Sequence, residues 1–263
     1  AEDGFRAPSS TAVARARNAF RALLAPDSDN AASRLRELGF HLQTLALDDA
    51  SATAVSDPPD DVTGRGFYLF RSAEVPATPV LLQAPHRFKD LDTGEIVAEL
   101  AATGRFRAVA WNTVPRWAPD DRSDRRSDVA HIDQSYFNAV TRAFAERYPG
   151  GTVIQLHGYA RAHRDTAAGR NADVIVSTGT RELYGPARVV RDCLARDIGG
   201  TVLGYGADVF ELGATTNRNA AMLRSIGFHR FVHVEMDREL RRALLADAEL
   251  RDRFRGCLLE AAG

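Results

Sequence analysis

From residue 66 onward, short apolar runs alternate with longer segments of helical period, and this alternation most limits what the chain can become. Runs at 80–84, 106–114, 152–157, 173–179, 201–205 and 228–236 have the length of strands. Segments 128–148, 186–196, 216–226 and 237–245 lie between or after them, and 128–148 carries a stripe of Val129, Ile132, Tyr136, Phe137, Val140 and Phe144. Strands joined by ten or more residues of helix cannot be hairpins; they read as βαβ units. The expected fold is a single α/β domain with a mostly parallel, mixed, twisted sheet flanked by helices.

The first 65 residues follow a different pattern. Residues 11–24 and 30–38 have helical spacing, 40–47 alternates like a strand, and 51–66 is rich in Ser, Asp, Pro and Gly and reads as a loop. Residues 1–12 read as frayed, and 66–71 as a short strand. The division expected is a helical extension at 1–65 packed on an α/β core domain at 66–263. The charged run at 119–127 reads as a solvated loop. Loops 51–66 and 117–127 are candidate lids.

Net charge is −1, which argues against a nucleic-acid partner, and no apolar run approaches the ~20 residues of a membrane helix. The chain begins Ala1-Glu2 without Met, so removal of a leader or a tag is expected, and a periplasmic or secreted location is slightly favoured over a cytoplasmic one. Cys193 and Cys257 are either one disulfide or two buried thiols. A Gly-x-Ser-x-Gly elbow and a phosphate-binding Gly-x-x-x-x-Gly-Lys are both missing, and the Gly204, Gly206 pair lacks the third glycine of a dinucleotide loop.

Ligands in open α/β sheets bind beyond the carboxyl ends of the strands. His86 follows the run 80–84 after Pro85, with Asp90 four residues on; His157 ends 152–157; Glu235 lies near the end of 228–236. Parallel strands bring these ends to one rim. Two imidazoles and a carboxylate form a catalytic zinc set with a position left for water. Glu235 would then take the water's proton and pass it to the leaving amine. Asp92 is the reserve for Asp90.

The order of histidine, nearby acid, distant histidine and late glutamate resembles the zinc carboxypeptidase superfamily. Pro85-His86 with Asp90, and the late segment Val234-Glu235-Met236-Asp237-Arg238, are closer to its N-formylglutamate amidohydrolase-like branch. The resemblance spans about 66–246. It departs from the superfamily's usual His-x-x-Glu, since the acid here comes one residue later. It implies a zinc-dependent amide hydrolase or metallopeptidase acting on a small peptide or N-acyl amino acid. It also implies a cation for the substrate's carboxylate: Arg116 is the first choice, Asn112 and Arg161 are further substrate-binding candidates, and Arg164 competes.

Each residue also has a plainer reading. His86 and His157 could be hydrogen-bonded structural histidines, and Glu235 could pair with Arg230 or Arg238. His233 shares Glu235's face of the strand and is either a fourth polar group or an edge residue. Asp128 and His131 read as an ordinary surface pair on a helix; His163 reads as part of a mobile polar loop, and His41 and His229 as structural. The rival functions are a non-catalytic α/β domain binding an acidic small ligand without metal, and a cell-wall peptidoglycan amidase or peptidase.

Overall fold

The computed structural model describes residues 4–25, 30–47, 50–120, 123–124 and 126–263. In chain order the helices are α1 (Ser10–Leu23), α2 (Ala31–Glu37), α3 (Thr93–Thr103), α4 (Tyr136–Arg147), α5 (Ala167–Asn171), α6 (Gly185–Asp197), α7 (Arg218–Ser225), α8 (Arg238–Ala246) and α9 (Ala248–Glu260). The strands are β1 (His41–Leu47), β2 (Ala50–Ser56), β3 (Phe67–Arg71), β4 (Thr78–Ala84), β5 (Phe106–Trp111), β6 (Thr152–Gly158), β7 (Val174–Ser177), β8 (Val202–Gly204) and β9 (Phe231–Met236).

The strands form one sheet in the order β1-β2-β3-β5-β4-β6-β9-β7-β8. Its centre, β5-β4-β6-β9, is parallel, and β1, β2, β3 and the β7–β9 pairing are antiparallel. The single α/β domain with a mixed sheet is therefore as expected. Central strands are covered on both faces, and every residue of β9 and Val80–Ala84 of β4 are buried.

Side chains alternate between the two faces. Val80, Leu82, Ala84, Ile154 and Leu156 point into one core layer, with Val97 of α3, Val190 of α6 and Phe254 of α9. Leu81, Val153 and Phe231 point into the other, with Phe20 of α1, Phe144 of α4 and Leu223 of α7. Cys193 and Cys257 form a disulfide that ties α6 to α9.

Four expectations need correcting. Residues 51–56 are strand, not loop: the run Ala50–Ser56 is free of Pro and Gly and is paired on both sides, by β1 and β3. The N-terminal 65 residues thus give two strands to the sheet as well as two helices. Residues 4–9 are not frayed, since Phe5 is buried and its N–H donates to Pro119 O; residues 1–3 lie outside the described residues. The helix expected from 128 starts only at Tyr136, because Ser135 caps it by accepting from Asn138 N. Residues 128–134 are instead a loop that approaches the end of β4.

The candidate lids pack elsewhere. In 57–66, Asp57 accepts from the Thr63 and Arg65 amides and pairs with the Arg65 side chain. In 117–127, Ser127 N–H donates to Ala118 O, and residues 121, 122 and 125 lie outside the described residues.

Candidate active site

The face of the sheet that carries Leu81, Val153 and Phe231 changes character toward the strand ends. Those three apolar residues are aligned in register across β4, β6 and β9. Two residues further on, Gln83, Gln155 and His233 form the next row, and Ser177 of β7 is opposite His233. His157 and Glu235 are partners in the row after that. The sheet therefore grades from apolar core to reactive rim within one face.

β4 delivers its residues through a tight turn. Pro85 has no N–H for the ladder, and beyond it the Lys89 and Asp90 amides both donate to His86 O. This single helical turn puts the His86 and Asp90 side chains on one side. Asn112 braces it from β5: its Oδ1 accepts from Arg87 N at 3.1 Å, and its Nδ2 donates to Val114 O.

His86, Asp90, His157 and Glu235 are all buried, each less than 9% exposed. Asp90 Oδ2 lies 3.1 Å from His157 Nδ1 and 3.7 Å from His86 Nδ1. One ligand atom from each of the three falls within 4.8 Å of the others. It is Asp90, not Asp92, that stands between the rings. Asp92 sits in the left-handed region at the start of α3. Glu235 borders the same space. One of its oxygens is 3.5 Å from His233 Nε2, and the other, Oε2, is buried without a hydrogen-bond partner among the described residues.

Asp128 is the group that sequence reasoning undervalued. Its Oδ1 is 2.8 Å from His86 Nε2 and 2.9 Å from His131 Nδ1, and its other oxygen accepts from Arg116. The available signal was the serine cap at 135, which ends the helix before the Asp128, His131 pair and leaves that pair in a loop.

Electrostatics follow from this packing. Burial opposes charge on Asp90, but hydrogen bonds from His157 and His86 outweigh it and hold its pKa well below the usual carboxylate range. Asp128 is lowered in the same way by His131 and His86. Burial lowers His86 too, yet Asp128 and Asp90 reverse the sign and its pKa is raised. Burial dominates at His157 and His233, and both are lowered. Glu235 is pushed up to about 8, first by burial and then by the charge of Asp90.

The site opens into a cavity of about 490 Å³ lined by His86, Asp90, Arg116, His157 and Glu235. Its outer wall comes from residues 158–160, 163–164, 212–217 and α8, and no described residue of 51–66 or 117–127 lines it. Lys89 and Arg238 line it too, both exposed and with side chains that have no hydrogen-bond or ion-pair partner among the described residues. Arg161 and Asn112 do not line it. Arg161 is held by Asp237 at 2.7 Å and by Asp173.

The donor set fits a zinc ion on its own chemistry. Asp128 can only accept, so His86 Nε2 carries the proton it donates, and the neutral ring presents a lone pair at Nδ1. That lone pair and the Asp90 carboxylate face each other, an arrangement a cation relieves. Two imidazole nitrogens and one carboxylate oxygen are zinc ligands, and a carboxylate on the far nitrogen of a ligating histidine is the usual outer support.

No protein-family model matches the chain, and no curated protein does. Solved structures similar to it include N-formylglutamate amidohydrolase from Ralstonia eutropha JMP134, with TM-score 0.47 and 15% identity over 72% of this chain and 94% of that one. A gene product from Agrobacterium tumefaciens gives TM-score 0.39 and 14% identity over 71% and 89%. Likenesses of this size say nothing about chemistry, which rests on the side chains themselves.

Proposed function

We propose that the protein is a zinc-dependent hydrolase that cleaves an amide bond in a small peptide or N-acyl amino acid. The observation that carries this reading is the convergence of His86, Asp90 and His157 on one buried point beside the unpartnered Oε2 of Glu235. His86 and His157 would hold zinc through Nδ1, and Asp90 through Oδ2. When bound, zinc would polarise the scissile carbonyl and acidify an attacking water.

The remaining steps belong to the chain's own groups. Glu235 lines the cavity and its Oε2 has no hydrogen-bond partner among the described residues; the charge of a bound cation would favour its carboxylate form, which could then accept the water's proton and return it to the leaving amine nitrogen. Buried without a partner, Glu235 would cost stability for no gain in a domain that only binds ligands. Arg116 keeps one nitrogen on Asp128 and has its Nη1 3.4 Å from His86 Nδ1, the nitrogen that would hold zinc, so it would border a carbonyl bound there. Lys89 and Arg238 add positive charge at the rim for a substrate carboxylate. The disulfide supports the expected periplasmic or secreted location.

Glu235→Gln tests the assignment. The variant is expected to bind zinc as the parent does and to lose about 10²–10⁴-fold in turnover on N-acyl amino acids or short peptides. Undiminished turnover would remove Glu235 from the chemistry. Cleavage of peptidoglycan fragments alone would shift the substrate to the cell wall.

A further inference from the structure

Beneath the site, in fully buried surroundings, runs an unbroken chain of polar side chains. Thr141 Oγ1 donates to Phe137 O at 2.8 Å and accepts from Gln83 Nε2 at 2.9 Å. Gln83 Oε1 accepts from Gln155 Nε2 at 3.0 Å. Gln155 Oε1 accepts from Asn217 Nδ2 at 2.8 Å and lies 3.5 Å from His157 Nε2. Asn217 Oδ1 accepts from Ala220 N at 3.0 Å, capping α7. Gln83, Thr141, Gln155 and Asn217 are each no more than 3% exposed.

The direction of this chain is fixed from both ends by groups that have no choice. Phe137 O is a carbonyl and can only accept, so Thr141 must donate to it and take its second bond from the Gln83 amide NH₂. Gln83 then turns its oxygen to Gln155, and Gln155 turns its NH₂ to Gln83. At the other end Ala220 N–H can only donate, so Asn217 turns its oxygen to α7 and its NH₂ to Gln155. Both ends therefore require Gln155 to present its oxygen toward Asn217 and His157.

His157 is thus flanked by two acceptors, Gln155 Oε1 on one nitrogen and Asp90 Oδ2 on the other. A neutral imidazole has one proton to give, so one nitrogen always faces an acceptor with its lone pair. A cation on the Asp90 side removes that conflict. We infer that Gln155 is a positioning residue, held in one orientation by Asn217 and Thr141, that keeps the proton of His157 on Nε2 and so reserves Nδ1 for the metal. This rests on the zinc reading of the site.

The test reads the ring and the metal rather than turnover. In the zinc-loaded parent, ¹⁵N spectra of labelled histidine are expected to show His157 bound through Nδ1 with Nε2 protonated. Gln155→Leu removes the acceptor at His157 Nε2, so nothing holds the proton there. The proton then moves to Nδ1, where it donates to Asp90, and zinc affinity in a chelator competition falls about 10–100-fold. Gln155→Glu, which can only accept, is expected to restore parental affinity or better.

Zinc bound through His157 Nε2 in the parent overturns the inference, whether or not any variant folds. So does a folded Gln155→Leu protein that keeps the Nε2 proton and parental affinity. A folded parent that takes up no zinc overturns the metal reading instead, which separates the two failures.

Discussion

Asp128 Oδ1 lies 2.8 Å from His86 Nε2, and the same carboxylate binds Arg116 and His131. A single acceptor thereby fixes the ring orientation of one candidate zinc ligand and anchors the arginine at the cavity wall. Asp128→Asn removes the charge and leaves one oxygen for three donors. Zinc affinity is expected to fall about 10–100-fold, as for other outer-shell carboxylates. Chelator competition measures it, and an unchanged circular dichroism spectrum would show that the fold is kept. Parental affinity in that variant would remove Asp128 from the support of the site.

Glu211 joins two segments of the cavity wall. Its carboxylate accepts from the Asp165 and Thr166 amides at 2.9 Å each and from the Thr166 hydroxyl, and it pairs with Arg164. Burial opposes its charge, but these bonds win and its pKa is lowered. A carboxylate lowered on folding contributes stability above its unfolded value, near 4.5, and loses it as pH falls through the lowered value. Amide exchange at Asp165 and Thr166 should therefore speed up on acidification below about pH 4 relative to β6, after correction for intrinsic rates. Glu211→Gln should show the faster exchange already at neutral pH. Equal protection in parent and variant would mean the contact does not hold the wall.

Cys193 and Cys257 close a loop of 64 residues between α6 and α9. By chain entropy alone such a cross-link stabilises by ~4 kcal/mol. The double variant Cys193→Ala, Cys257→Ala should unfold at a clearly lower denaturant concentration, and reductant should shift the parent toward it. A parent whose midpoint ignores reductant would indicate two thiols in solution.

Much of the sheet could be read from the chain because central parallel strands are apolar on both faces and their spacers are long enough for helices. The rim could be read for a related reason. His86, His157 and Glu235 interrupt or follow such runs at the carboxyl ends, and parallel pairing brings those ends together. Other parts were hidden by physics that acts only in three dimensions. β2 is made of small and polar residues, and its partners β1 and β3, not its propensity, make it a strand. Asp128 was hidden because Val129 and Ile132 extend the helical stripe of α4 past its true start at Ser135. Gln83 and Gln155 look like isolated polar residues in apolar strands. Only the register between β4 and β6 shows that they touch. Arg161 fits a substrate-binding arginine in sequence, yet Asp173 and Asp237 already occupy it.

Metal content is the most direct test of the central claim, which is that His86, Asp90 and His157 form one cation site. Elemental analysis of protein purified without chelator, or incubated with zinc and desalted, is predicted to give about one zinc per chain. The same treatment of folded His157→Ala should give little. A folded parent protein that retains no zinc, or that retains it equally after His157→Ala, would contradict the account.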